Sequence, residues 1–420
     1  MTMETAAKGY PRSNGEPDFL TKTLGDVGYW HFIVILLMMA FNTPVVFHIS
    51  SPEVSGVNHL FWCAYPHHKF TYEQWINLSS VSYTSFRGVN TTDRCKIKDL
   101  PYLTLYYEEL IRINTSRTRP CHLWEFKKTR VSLLSTYNLA CLPLPVNNIA
   151  ESAFSIGSGF GGILCSYLAD RFGRKKLLMG SQLMNVMIGF CIANAPTFAL
   201  YLFYRVLLGF SCSAVLLCSL VICLEIAGGK WRDRLTTVFM FSYSLGYVTL
   251  YLLSRLFNSW VYLQYSITLL GIFLLSIYWA VPESPRWLLT VQNLPGLMAV
   301  LKSVSDINRK PLMPGTTSRL KNMPPMQVEP TSVSLLMLFR KGAIGRVSAV
   351  SPFVFFFCNV TYFGLVLNDD LFTLGLLYSG AIEFIACLVV LILGLKNDVL
   401  MVTVANGLSG VCCLVGAYVM

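Results

Sequence analysis

The sequence predicts an all-α integral membrane protein, and three observations carry that prediction. First, 54% of residues are hydrophobic and only 13% are charged, about half the charged share of soluble domains, with a mean hydropathy of +0.53. Second, apolar runs near the roughly 20-residue length that crosses a bilayer recur along the chain. Third, the short connections between these runs alternate between basic and free of lysine and arginine, as connections on opposite sides of a membrane do. A net charge of +11 would raise nucleic acid as a partner for a soluble protein. Here basic residues beside spans set topology, and no nucleic-acid partner is expected.

Residues 1–28 read as a cytosolic N-terminal tail, because the polar stretch is long for a signal peptide and no small-residue cleavage site follows the first apolar run. That run, about 29–49, is the first span, and a helix bundle tolerates its Asn42 and Pro44. Residues 50–148 differ. They hold Cys63, Cys95, Cys121 and Cys141, and glycosylation sequons at Asn77 (NLS), Asn90 (NTT) and Asn114 (NTS). We read them as a large, disulfide-tied extracellular loop; four cysteines allow three pairings, and the sequence does not choose. Spans at about 149–168, 177–195, 199–226, 235–256 and 262–281 complete a six-helix bundle over 29–281. A cytosolic central loop follows at 282–346, then candidates near 347–367, 371–394 and 399–420 form a partial C-terminal bundle of three helices over 347–420.

Charge tests this topology independently. With the glycosylated loop outside, the cytosolic connections carry RFGRKK, KWRDR, nine basic residues against three acidic ones in 282–346, and Lys396. The external turns near 196–198, 257–261 and 368–370 carry neither lysine nor arginine. The large loop is also basic, but loops beyond about 60 residues are exempt from the rule.

Gly157, Gly159 and Gly162 match the dinucleotide spacing G-x-G-x-x-G, which requires a preceding strand and a following helix in a soluble sheet. Here the match lies inside an apolar run, where small residues at helical spacing permit close helix approach. ADRFGRKK follows as a cytosolic turn, with Gly173 able to take left-handed geometry. Its basic cluster serves topology alone or forms an ionic latch. The latch would draw on Asp170, Arg171 and Arg174, with Glu225 and Arg232 from LEIAGGKWRDR and Glu283 and Arg286 from VPESPRWLL. Surface pairs are weak singly, yet a network made in one conformer biases a balanced equilibrium. Arg205, on the external side of its span, is costly there without a partner. Glu383, within the eighth span, is able to face a cation or carry a proton, or to serve as a structural hydrogen-bonded acid. Asn359, Tyr362, Tyr243, Tyr247 and Gln264 either line a central cavity or glue helices together. No catalytic constellation, Walker-type loop or metal-ligand cluster stands out, so neither enzyme activity nor a cofactor or metal is expected.

In order along the chain, STYNLACLP, LADRFGRKK, YRVLLGF, the Glu225–Arg232 pair, VYLQY, PESPRWLL, NVTYFGLVLN and IEF resemble the organic cation/anion/zwitterion transporter family of the major facilitator superfamily. The resemblance runs from the first span to the chain end. It implies a plasma-membrane, multi-pass, alternating-access carrier of small organic ions, with a coupling ion or counter-substrate and the bilayer as partners. It implies that Asp170, Arg171, Gly173, Arg174, Glu225, Arg232, Glu283 and Arg286 form the cytosolic gate. Glu383 matches the acidic position of cation-handling members, which favours cations. Ser166 departs from a usual glycine, Ile385 from a usual proline, and GLKNDVL from a second acidic-basic turn. The chain reaches Met420 with three helices of the second half, an incomplete form of the major facilitator fold. The alternative expectation is therefore a non-transporting truncated relative or a regulatory membrane protein, subject to retention in the endoplasmic reticulum.

Overall fold

The computed structural model describes residues 19–24, 27–55, 61–65, 69–84, 90–113, 115–126, 130–142, 145–228, 231–312, 315–321, 343–366 and 375–393. A short helix α1 (Phe19–Leu24) precedes the long α2 (Tyr29–Ser55). α2 runs six residues past the expected end and through both Pro44 and Pro52. Proline has no N–H for the carbonyl four residues earlier, so Pro52 leaves the His48 carbonyl without its helical donor. Arg205 supplies one instead, its Nη1 donating to the His48 carbonyl at 2.7 Å.

The segment expected as a loop is a small domain of its own. In chain order it comprises β1 (Phe61–Cys63), α3 (Tyr72–Ser79), β2 (Val81–Thr84), β3 (Asn90–Asp93), β4 (Lys96–Lys98), α4 (Tyr107–Leu110), β5 (Thr118–Pro120) and β6 (Trp124–Phe126), and α5 (Leu133–Thr136) follows with Leu133 and Leu134 in the main helical core. Three antiparallel ladders, β1–β6, β2–β3 and β4–β5, surround a separate core that includes Phe70, Trp75, Leu78, Ile97, Leu100 and Tyr102. Burial pushes the Tyr102 phenol up to about 12. Of the three pairings open to the four cysteines, the structure has Cys63–Cys121 and Cys95–Cys141, each with a Cα separation of 5.7 Å. The returning chain is strapped to the helix ends. Val131 N–H donates to the Asn258 carbonyl at 2.9 Å, Trp260 N–H to the Val131 carbonyl at 3.1 Å, and Tyr137 O–H to the Ala195 carbonyl at 2.9 Å.

The bundle continues with α6 (Val146–Phe172), α7 (Arg174–Ala193), α8 (Phe198–Ile226), α9 (Trp231–Leu256) and α10 (Trp260–Ser276). α8 is central and touches α2, α6, α7 and α9. Its seam with α6 explains the glycine motif. A Cβ on Gly157 would overlap the Val206 carbonyl, one on Gly161 the Ser213 hydroxyl, and one on Gly209 the Phe154 carbonyl. Gly159 and Gly162 meet nothing within 4 Å. The three motif glycines therefore lie on two faces of one helix, not in a phosphate-binding turn. We expect Gly157→Ala to lower the thermal midpoint of the purified chain. Gly162→Ala should leave it unchanged or raise it, since alanine is favoured over glycine by about 1 kcal/mol in a helix. Equal effects would refute the close-packed seam.

Two boundaries differ from expectation. The sixth apolar run ends as helix at Ser276 and closes with a 3₁₀ turn at Tyr278–Ala280. The central segment carries α11 (Pro285–Thr290), α12 (Leu294–Asn308) and α13 (Thr316–Lys321). The apolar residues of these helices, Leu297, Leu301, Val304 and Leu320, join Leu20 and Leu24 of α1 in the main core. Asn308 Oδ1 accepts from Trp30 N–H at 2.9 Å, so α12 caps the start of α2 from a distance. α14 (Ala343–Val366) and α15 (Gly375–Leu393) complete the described helices. Among the described residues, five helices are both long and apolar enough to cross a membrane. The ninth candidate, near 399–420, lies outside them.

Candidate functional site: a clasped helical turn and a buried acid

Gly173 separates α6 from α7 with φ +99°, a conformation that glycine adopts without the steric cost of a side chain. Space imposes the same choice, because a Cβ there would meet Glu283 Oε2 at 2.5 Å and the Trp287 ring at 3.0 Å. Both neighbours come from the segment after α10. Glu283 Oε1 accepts from the N–H groups of Arg174 at 3.0 Å, Lys175 at 3.1 Å and Ser284 at 3.0 Å. A carboxylate thus occupies the positive end of α7, whose first amides have no helical partner. Trp287 Nε1–H donates to the Asp170 carbonyl at 2.8 Å, closing the clasp from the other side.

Arg174 is the centre of the ionic part. Its Nη2 bridges Asp170 Oδ1 at 2.8 Å and Glu225 Oε1 at 3.0 Å, and its Nη1 donates to the Ala169 carbonyl at 3.2 Å. The arginine side chain is 10% exposed and Glu225 17%, against 75% for Asp170. The Glu225 pair is therefore the strong one, because water screens the other. Arg286 Nε reaches the Glu225 carbonyl at 3.2 Å.

The structure thus joins Asp170, Gly173, Arg174, Glu225, Glu283 and Arg286 in one cluster. Arg171 points elsewhere, to the Tyr167 hydroxyl at 3.4 Å and over the Phe172 ring. The Glu225–Arg232 pairing named from sequence is replaced by Glu225–Arg174, and Arg232 is exposed. Sequence reasoning missed Trp287, and it missed Lys175, whose Nζ stands 4.3 Å from the Tyr278 ring centroid. The one available signal was that PESPRWLL sets an aromatic four residues after its glutamate.

Glu383 lies at the seam of α15 with α9. Gly380, one turn before it, brings the helices close, since a Cβ there would meet the Ser244 carbonyl at 3.2 Å and Tyr247 Cβ at 3.1 Å. Phe384 meets Phe241 edge-on at 5.1 Å, and Tyr243 lies within electrostatic reach of Glu383. Glu383 Oε2 and the Ser244 hydroxyl are buried and have no hydrogen-bond partner among the described residues. α15 runs unbroken through Ile385, where the resemblance implied a proline. Tyr247 is buried beside the same seam. Gln264 is also buried, but its amide donates to Thr268 Oγ1 at 3.5 Å. Thr268 faces Gly189 of α7, so Gln264 belongs to the α7–α10 seam. The side chains of Asn359 and Tyr362 lie outside the described residues, as do those of Asn90 and Asn114 and the GLKNDVL turn. Asn77 is exposed on α3 and donates to the Tyr107 hydroxyl at 3.1 Å.

Arg205 is 1% exposed on α8. Besides the His48 carbonyl it reaches the Ala150 carbonyl at 3.4 Å and stands 4.9 Å from the Phe154 ring centroid. It pins α2 and α6 to α8.

The sequence pattern of the family described as "Sugar (and other) transporter" matches residues 145–368, a stretch that includes the whole clasp. The chain belongs to this family. It is homologous to solute carrier family 22 members within the major facilitator superfamily. Solute carrier family 22 member 2 of Pongo abelii is 28% identical over 294 residues, 68% of this chain and 53% of its own. Solute carrier family 22 member 13 of Homo sapiens is 26% identical over 370 residues, 86% and 66% of the two chains. An organic cation transporter-like protein of Drosophila melanogaster is 27% identical, covering 68% and 50%. The chain spans about half the length of several curated relatives it matches. A solved structure of the proton:xylose symporter XylE covers 88% of this chain and 70% of its own, with a TM-score of 0.49 and 15% identity, too distant to align site residues.

Proposed function

We propose that this chain provides the N-terminal bundle and part of the second half of a plasma-membrane carrier of small organic ions working by alternating access. The topology in this reading is a cytosolic N-terminus, six helices, a cytosolic segment and three further helices. The observation that carries it is Glu383, a half-buried carboxylate whose buried Oε2 has no hydrogen-bond partner among the described residues, at the contact between a helix of the second half and α9 of the first. A carboxylate in that position favours a cationic substrate, exchanged against a counter-substrate or coupling ion. Substrate shifts the equilibrium of such a carrier only by its differential affinity for the two states.

The clasp around Arg174 is the cytosolic gate in this reading. Its partners come from α6, α7, α8 and the segment after α10, so loosening that segment would release the α7 amides and the Glu225 carbonyl together. Arg171 and Arg232, exposed in this arrangement, are available to the other conformer.

Uptake of a labelled organic cation by the longest form of the protein, with surface expression verified, tests the proposal. Glu383→Gln should lower cation uptake at least roughly tenfold, the effect of losing one charge contact of about 1.4 kcal/mol, and spare anionic compounds. Unchanged affinity and rate would remove Glu383 from the substrate path, and no saturable uptake of any organic ion would sink the carrier reading.

A further inference from the structure

Lys175 and Lys176 stand at the start of α7, but their ammonium groups take no part in the clasp. Glu283 already caps that helix end through the Arg174 and Lys175 backbone amides. Among the described residues neither lysine side chain has an ion pair. Lys175 reaches across to the Tyr278 ring beyond α10, and Lys176 is exposed. Arg171 and Arg234, cations at neighbouring helix ends, instead lie over rings of their own helices, Phe172 and Trp231. Next to Tyr278, Trp279 is 85% exposed. Tyrosine and tryptophan at the end of a membrane helix mark the headgroup layer.

Below the lysines runs a continuous apolar strip. Gln182 donates to the Gly271 carbonyl and Gly189 faces Thr268, so this side of α7 packs on α10. Lys175 lies seven residues before Gln182 and therefore on the same side. Lys176, Leu183 and Phe190 follow at seven-residue intervals along the adjoining flank. Phe190 meets Tyr265 of α10 at 6.0 Å, so that flank borders α10. Tyr265, Leu269 and Ile272 share one side of α10 at helical spacing. Leu183, Leu269 and Ile272 are all exposed. One turn after Lys176, Gly180 leaves a notch, because a Cβ there would meet nothing within 4 Å. From Lys176 to Phe190 the strip measures about 21 Å at 1.5 Å per residue. That is longer than the roughly 15 Å of hydrocarbon in one leaflet.

We propose that this strip binds one anionic phospholipid, its headgroup on Lys175 and Lys176 beside Trp279 and an acyl chain along Gly180 and Leu183 against α10. Charge and depth select this occupant together. A soluble anion would use the lysines without the apolar strip, and a zwitterionic lipid would use the strip without bringing net negative charge. In the topology proposed above this end faces the cytosolic leaflet, which is the acidic one. The binding itself requires only that α7 and α10 lie in the bilayer, and it does not depend on the chain carrying an organic ion.

The test is native mass spectrometry of the 420-residue chain in mild detergent, with phosphatidylserine as the probe and phosphatidylcholine as comparison. The wild type should keep one phosphatidylserine under conditions that strip phosphatidylcholine. Lys175→Gln/Lys176→Gln should bind phosphatidylserine at least about tenfold more weakly, since each basic residue beside an anionic surface contributes roughly fivefold. Gly180→Trp retains both lysines and fills the notch, and it should also lose the bound lipid. Lys302→Gln/Lys310→Gln, exposed on the central segment, should bind as wild type. Intact disulfides, monodisperse elution and an unchanged lipid-free thermal midpoint serve as folding controls. Excess glycerol 3-phosphate should not displace the lipid. Equal retention of the two lipids, unchanged binding by either strip variant or an equal loss in the central-segment variant would overturn the proposal. Displacement by glycerol 3-phosphate would overturn it too, by showing a site for soluble phosphate.

Discussion

Arg174→Gln should destabilise the purified chain by about 3 kcal/mol, the scale on which breaking a buried ion pair costs stability. The cost comes from what remains. Glu225, 17% exposed, loses the Arg174 guanidinium at 3.0 Å from its carboxylate and stays charged in a poorly hydrated place. Asp170, 75% exposed, is rehydrated at little cost, so Asp170→Asn alone should change stability by less than about 1 kcal/mol. The double variant Arg174→Gln/Glu225→Gln should recover most of the loss, because neither member is then an uncompensated charge. Thermal unfolding followed by tryptophan fluorescence reads all four proteins. A double variant no more stable than Arg174→Gln would mean that Arg174 and Glu225 act separately and that the cluster has no ionic centre.

Arg205→Leu should cost about as much, for a different reason. Pro52 cannot donate to the His48 carbonyl, and the Arg205 guanidinium takes over that role at 2.7 Å while also reaching the Ala150 carbonyl. Leucine fills similar space and leaves the buried His48 carbonyl with only the longer Ser51 hydroxyl contact at 3.3 Å among the described residues, at a cost toward the lower end of about 1–3 kcal/mol, besides releasing α2 and α6 from α8. Pro52→Ala restores a backbone N–H four residues after His48. It should therefore rescue part of the Arg205→Leu loss while doing little in the wild-type background. Absence of rescue would show that Arg205 acts through its charge rather than by replacing the missing helical donor.

The legibility of this chain follows from which forces act locally. Helix length and apolar content are properties of a contiguous stretch, so α6, α7, α8 and α9 appear within a few residues of their expected bounds. The continuation of α2 through Pro52 was not legible, because its compensating donor lies more than 150 residues away. The sixth run stopped early for a related reason, since hydropathy does not record where a chain turns to bring Glu283 back to α7. The large loop showed its cysteines but not their partners, which depend on how the ladders around Trp75 close.

The site divides in the same way. The sequence by itself determined the membrane class and the inventory of charged residues at the helix ends, because burying charge in lipid is so costly that its placement is written into composition. It also supplied Gly173 and Glu383 as positions where an ordinary residue would be out of place. Only the tertiary structure decided that Arg174, and not Arg232, meets Glu225, that Glu283 caps α7, and that Gly157 and Gly162 face different surroundings. Each of those choices depends on which of several equivalent charges or small residues is desolvated by a distant neighbour, and desolvation is a property of the packed bundle.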